Sequence, residues 1–369
     1  MSLNRPWFIL PWVILASSLL ATELPSPAVE RYPGMCDASA AVPLDDQHFI
    51  VADDEVNTFR VYATETAGPE ISAIPWDAFL ISDRDLKHPE ADIEGGTRLG
   101  DTLFWVTSHG RNLEGKWRTN RHQFFAVQVV KQEGQFTARP VGTAYNRLAI
   151  DLADSPALAG LGLAEALGPP HESEDELAPK DEGLNIEGLT VDKDGQGVLL
   201  GFRNPLPQGK ALLIPLRNPQ AVVAAGQTPE FGAPIQLQLH VRLRGEEYAL
   251  GIRSIEYSPA DQKYFIAAGP SNTRAIFAIY SWGGLPGERP QLLRSTTAVL
   301  EQKDFAPEAL VLLGNRPQLL VLSDDGSMQV RVASPAECQE GTYQDGRCNQ
   351  KHLKDPSRKT FGALRIDKR

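Results

Sequence analysis

Four acidic residues and one arginine recur at matching places along the chain. Asp37-Ala38, Glu94-Gly95, Glu187-Gly188, Arg253-Ser254 and Glu308-Ala309 each set a charged residue before a small one, at the head of an apolar stretch. Each stretch then turns back and ends in a polar exit. The exits hold Asp53 and Asp54; His109, Arg111 and Asn112; Arg203 and Asn204; Asn272; and Asp324 and Asp325. Gathered at one place, these groups have several uses. Carboxylates are hard oxygen ligands and suit Ca2+ or Mg2+ better than zinc. Asp37, Glu187, Glu308 and Asp324 are the expected metal set. Glu94 paired with His109 would do acid–base work on a bound water, and a neighbouring metal would lower that water's pKa. Glu187 completes the candidate catalytic group. Arg203 and Arg253 would orient a phosphorylated or carboxylated small molecule through bidentate hydrogen bonds, with Arg111 and Asn204 beside them.

These residues must be positioned by whatever repeats around them. Five segments share one template: Met35–Asn57, Asp92–Asn112, Asn185–Pro205, Gly251–Asn272 and Ala306–Ser327. The clearest, LNIEGLTVDKDGQGVLLGFRNP, is a strand, an Asp-Gly turn, a second strand and a polar exit. Further apolar strands follow each pair, such as HQFFAVQVV, IFAIYSW and residues 211–216. Four short strands per unit, repeated five times, define an all-β protein, a five-bladed β-propeller. Repeat starts lie 57, 93, 66 and 55 residues apart. The long interval contains an insertion, residues 151–183, between blades 2 and 3. Its first part is Ala/Leu-rich and expected to be helical; Glu172–Glu182 is an acidic, solvated loop.

The fifth blade is interrupted. A strand over Met328–Val332 leads into a cysteine-containing loop, residues 336–359, before TFGALRI supplies an outer strand; an N-terminal segment closing the ring is the alternative. The propeller domain is expected to span residues 34–369. In such a ring the inner strands start on one face and their partners end there. Strand direction alone therefore sends all acidic starts and polar exits to one mouth of the central channel. Several like charges around one axis cannot all ionise comfortably, so either their pKa values rise or a cation and an arginine compensate. The plainer alternative is that they solvate the channel and tie blades together. His122, before a strand, is expected to be structural. Asp192-Lys193-Asp194-Gly195 resembles a calcium loop, but it falls at a hairpin turn on the opposite face.

Residues 1–21 have the form of an export signal, with Arg5 ahead of a mostly apolar run and small residues after it. A short uncleaved anchor is the alternative, although the run falls short of the ~20 residues a span needs. No later stretch is long and apolar enough to cross a membrane. The expected location is the periplasm or the exterior. Cys338 and Cys348 bracket a polar loop and can form a local disulfide there; Cys36 with Cys338 is the other pairing. Net charge is −11, which excludes sequence-independent nucleic-acid binding. Walker A, HExxH and GxSxG motifs are absent.

The motifs GMCDASAAV, IEGGTRLGD, WVTSHGRN, NIEGLTVDKDG, GFRNPL, GIRSIEY and FAPEALVL…LSDDG resemble a family of exported bacterial proteins catalogued as domain of unknown function 3616. The resemblance runs from about Gly34 to about Asp325 and implies no activity. The acid-Gly-Leu repeat is also similar, over short motifs, to phytase-like esterase propellers. Two functions follow from the residues: a metal-assisted hydrolase of phosphoesters or esters at the acidic mouth, or a non-catalytic propeller that binds a small ligand or a protein. Nothing in the sequence names a protein partner.

Overall fold

Each blade begins with two strands of near-continuous burial, because an inner strand is covered by neighbouring blades on both sides. Asn185–Val191 and Val198–Asn204 show this: only Val191 is less than fully buried. The turn between them is closed by the Gly195 amide donating to the Asp192 carbonyl, with Gly195 at φ +69°, a backbone conformation open to glycine.

The computed structural model describes residues 28–81, 86–178, 182–272, 276–293 and 305–369. The expected export signal lies outside them. Five four-stranded antiparallel sheets form the blades. From the inside outwards, blade 1 is Ala38–Pro43, His48–Asp53, Thr58–Ala63 and Ser72–Pro75. Blade 2 is Ile93–Leu99, Thr102–Thr107, Phe124–Gln132 and Gln135–Pro140. Blade 3 is Asn185–Val191, Val198–Asn204, Ala211–Leu216 and Ile235–Leu237. Blade 4 is Gly251–Ser258, Lys263–Gly269, Ala278–Trp282 and Gln291–Leu292.

Blade 5 joins the two ends of the chain. Pro307–Leu312 and Gln318–Ser323 are followed outwards by Thr360–Asp367 and then by Glu30–Pro33. The C-terminal strand is therefore the third of its blade, and the outer strand comes from the N-terminal side. Residues 329–331 leave the blade altogether: they pair with Arg347–Asn349 in a small hairpin. Leaving the blade there is what allows the excursion between Ser323 and Thr360 to stand on the mouth. A disulfide joins Cys338 to Cys348, and Cys36 is a buried free thiol.

Close approach between blades explains the small residue after each charged one. A Cβ added at Gly188 would lie 2.8 Å from Ile252 Cγ2 of the next blade. Side chain to backbone bonds cross the same seams. Thr97 Oγ1 accepts from the Val191 amide, and Thr190 Oγ1 from the Tyr257 amide, both at 2.9 Å.

The insertion between blades 2 and 3 is helical at Leu148–Asp154 and Leu163–Leu167. Its Leu148, Leu152, Leu158 and Leu163 join the core formed by Phe124, Leu184 and Phe202. Each leucine so buried contributes ~1.5–3 kcal/mol. Arg111 fastens the insertion from below: its guanidinium donates to the carbonyls of Gly115, Leu167, Pro169 and Glu172. Arg111→Ala should leave those acceptors without their donor and destabilise the protein by about 2–4 kcal/mol. Limited proteolysis would then cut first within residues 148–178; an unchanged digestion pattern would refute that fastening role. Among the described residues, no helix is long and apolar enough to cross a membrane.

Candidate functional site

Four of the five ring residues sit at a defect common to all five inner strands. Each strand holds one extra residue against its partner, a β-bulge. Glu94 falls between the pairs Ile93–Thr107 and Gly95–Val106; Glu187, Arg253 and Glu308 occupy the same place in blades 3, 4 and 5. Bulges re-aim a side chain and end regular pairing. In blade 1 the bulged residue is Ser39, between Ala38–Asp53 and Ala40–Ala52. Asp37 thus stands two places earlier, level with Asp92 and Asn185. The mouth carries two tiers of polar residues, not one.

On the side of blades 3 to 5 the charges neutralise one another. Glu187 Oε1 accepts from Arg203 Nη1 at 2.9 Å, from Arg253 Nη1 at 3.2 Å and from Asn185 Nδ2 at 2.9 Å. Arg253 Nε lies 2.9 Å from Glu187 Oε2, out of line for a hydrogen bond. Arg253 Nη2 pairs with Glu308 Oε1. Arg203 also donates to the carbonyls of Pro270 at 3.0 Å and Asn272 at 3.4 Å. All four charged residues are buried. Burial, then the neighbouring Arg203, pulls the Arg253 guanidinium below its ordinary range. The geometry makes Glu187 and Glu308 partners of arginine, tying three blades together.

On the side of blades 1 and 2 the carboxylates have far fewer cationic partners. Asp37, Asp53 and Asp54 bring one oxygen each within 4.8 Å of one another, and so do Asp54, Asp92 and Glu94. Asp54 belongs to both sets, so five carboxylates form an arc across two blades. Asp324, joined to Asp37 by a backbone bridge, flanks the arc. Burial, followed by the fields of Asp324 and Asp53, pushes Asp37 up to about 9. Burial raises Asp53 to about 7 against hydrogen bonds from the Glu55 and Val56 amides. Asp54 and Glu94 are only partly exposed, and both are raised well above the carboxylate range. Burial comes first for each, then Asp37 and Glu94 for Asp54, and Glu187 and Asp92 for Glu94. Asp92, at φ +59°, is paired with Arg121 Nη1 at 3.1 Å. Cys36 Sγ donates to Asp37 Oδ2 at 2.9 Å.

His109 is not bonded to this arc among the described residues. Its Nδ1 donates to the Thr107 carbonyl at 2.8 Å, and its ring meets His122 edge-on at 5.7 Å. Burial lowers it to about 4, so it is neutral at pH 7. No hydrogen bond or ion pair joins it to Glu94 among the described residues. His122 stacks on Trp117 at 3.6 Å, under the insertion. Asn204 ends the second strand of blade 3, opposite Asn185. The turn Asp192–Gly195 is a hairpin, as expected.

Sequence reasoning gave Asp53 and Asp54 only as polar exits and gave Asp92 no role. Their signal was present: Asp92 precedes Glu94 by two residues, as Asp37 precedes Ser39. The bulge that sets the two tiers apart leaves no mark in residue type.

An all-β ring of five blades, with its bulged strands opening on a polar channel mouth, is a β-propeller. The chain belongs to the family described as Protein of unknown function (DUF3616), whose model matches residues 120–336. No curated protein matches the sequence. Among solved structures, the extracellular domain of a hybrid two-component system from B. thetaiotaomicron is 10% identical, with a TM-score of 0.31 over 78% of this chain. This chain spans 31% of that one's length. The PQQ-bound aldose sugar dehydrogenase from Streptomyces coelicolor is also 10% identical, with a TM-score of 0.40 over 92% of this chain and 100% of its own. Glutaminyl cyclase from Myxococcus xanthus has 10% identity and a TM-score of 0.33, covering 79% of this chain and 88% of its own.

Proposed function

We propose that this is an exported propeller that binds a divalent cation, Ca2+ or Mg2+, on the carboxylate arc and hydrolyses a phosphoester or ester there. One observation carries the reading: two carboxylate triads share Asp54, with their oxygens within 4.8 Å. The donor set is entirely hard oxygen, which fits these ions. Raised pKa values point the same way, since so many adjacent carboxylates must take up protons or a cation. A bound cation would lower the pKa of a coordinated water. Glu94 would then take that water's proton, because its carboxyl carries no hydrogen bond or ion pair among the described residues and burial, then Glu187 and Asp92, raise its pKa well above the carboxylate range. This departs from the pairing of Glu94 with His109, whose bonding is turned inwards. Export is supported by residues 1–21 and by the Cys338–Cys348 disulfide, a bond that persists in oxidising compartments.

Titration calorimetry with calcium and with magnesium tests the cation. Asp54→Asn should weaken binding at least about tenfold, because it removes a ligand charge common to both triads. Equal affinity in Asp54→Asn and wild type would place the ion elsewhere. Hydrolysis of generic phosphate and ester substrates should require the cation and be lost in Glu94→Gln. A second reading, cation-dependent binding without catalysis, is favoured by His109, whose Nδ1 donates to the Thr107 carbonyl and which is hydrogen-bonded to none of the arc carboxylates among the described residues. It predicts an intact calcium isotherm with no turnover.

A further inference from the structure

The excursion that interrupts blade 5 brings a lysine to the carboxylate arc. Lys351 lies three residues after Cys348, just beyond the loop that the disulfide closes. Its backbone is held at both ends: its amide donates to the Gly326 carbonyl at 3.1 Å, and its carbonyl accepts from Lys359 Nζ at 2.8 Å. Its ammonium pairs with Glu55 Oε1 at 2.5 Å. Glu55 directly follows Asp53 and Asp54, and its amide donates to Asp53 Oδ1 at 2.9 Å. Against the cost of burial, Glu55, then Asp37 and Asp54, push the Lys351 ammonium above its ordinary range, so their fields reach it. Of the other cations near the mouth, Arg203 and Arg253 are bound to Glu187 and Arg31 to Asp325, while Arg121 pairs with Glu90 and with Asp92 at the blade 2 end of the arc. The fields of Arg60 and Lys359 also reach Asp53, but Arg60 lies beside Glu70 and the Lys359 ammonium donates to the Lys351 carbonyl. Lys351 keeps 32% of its side chain exposed, and its one carboxylate partner is an exposed surface residue. A pair of this kind is weak and opens easily.

We propose that Lys351 is a tethered counter-cation of the arc: it offsets the carboxylates when no metal is bound and sets how tightly a divalent cation binds. The inference rests on the cation reading given above. An ion entering among Asp37, Asp53 and Asp54 meets a fixed positive charge and must bind against it, or drive the lysine outwards with Glu55. The excursion therefore tunes affinity without supplying a ligand.

The test is calcium titration of the full-length protein at low ionic strength. Lys351→Gln should bind calcium about fivefold to tenfold more tightly than wild type, the size expected for removing one unit charge near a double charge at the protein surface. Lys351→Arg keeps the charge and should keep the wild-type affinity. Lys354→Gln removes a charge from the same excursion, at a side chain that donates to the Ala336 carbonyl, and should change nothing. The gain in Lys351→Gln should shrink as salt is raised. Binding by Lys351→Gln equal to or weaker than wild type overturns the counter-cation role and leaves the cation site standing. Absence of calcium and magnesium binding in all four proteins overturns both.

Discussion

Glu187→Ala is expected to cost the folded protein about 3–5 kcal/mol, because it leaves two buried guanidiniums facing each other without their shared carboxylate. Arg203 and Arg253 both donate to Glu187 Oε1, and burial followed by the field of Arg203 already holds the Arg253 guanidinium below its ordinary range. Denaturant unfolding would read the loss as a lower midpoint at an unchanged slope. Glu187→Gln keeps an acceptor oxygen and should fall between the two. The same variants separate structure from chemistry: a residue bound up with arginine should not change calcium affinity, whereas Asp54→Asn should. A Glu187→Ala protein as stable as wild type would show that the network is solvated, and would reopen Glu187 as a ligand.

The second large effect is on pH. In the cation-free protein, stability should fall by about 3 kcal/mol between pH 7 and pH 9. Asp37 titrates at about 9 when folded, against ~3.9 when unfolded. Through that window the folded protein holds a proton that the unfolded chain has lost, so raising the pH favours unfolding. Each pH unit costs about 1.4 kcal/mol for one such proton. Asp53 and Glu90, both raised to about 7, add to the decline just below this window. His109 acts oppositely but lower: lowered to about 4, it makes stability rise with pH from about 4 to the unfolded value near 6.5. The window from 7 to 9 is therefore free of it. Saturating calcium should abolish the decline, since a bound cation replaces the proton. Thermal unfolding at three pH values, with calcium and with EDTA, reads this directly. A cation-free protein equally stable at pH 7 and pH 9 would show that Asp37 ionises normally.

The architecture was largely legible because it is repetitive: one strand pair, seen five times, needs only its own hydrophobic pattern and turns. Glu94, Glu187, Arg253 and Glu308 were found equivalent, and the bulges confirm it. Asp37 was aligned with them on its acid-small signature, yet Ser39 holds the bulge. A bulge is a matter of pairing across strands, and a single strand's sequence carries no trace of it. The division of the mouth was illegible for a similar reason. Sequence gives the number of charges; which carboxylate meets which guanidinium depends on the angles between blades. Arg111 shows the limit well: a basic residue in a polar exit looks like a ligand contact, and it is spent on the carbonyls of the insertion. Closure was half visible, with TFGALRI recognised as a strand of blade 5 but not as its third.

That closure bears on the order in which the molecule can assemble. Glu30 pairs with Ala363, and Tyr32 stacks on Phe361 at 5.1 Å. Glu30–Pro33, the first strand among the described residues, finds its partner only at Thr360–Asp367. Blades 1 to 4 are built from neighbouring segments and can form as the chain emerges. The ring itself must wait for Thr360–Asp367. The entropy of joining such distant segments grows only with the logarithm of their separation, so the finished fold is little weakened by it. The rate is what suffers, as it does for contacts remote in sequence. Among the described strands the one made first is the one paired last, and until then blade 5 stands as two inner strands with their outer edge uncovered.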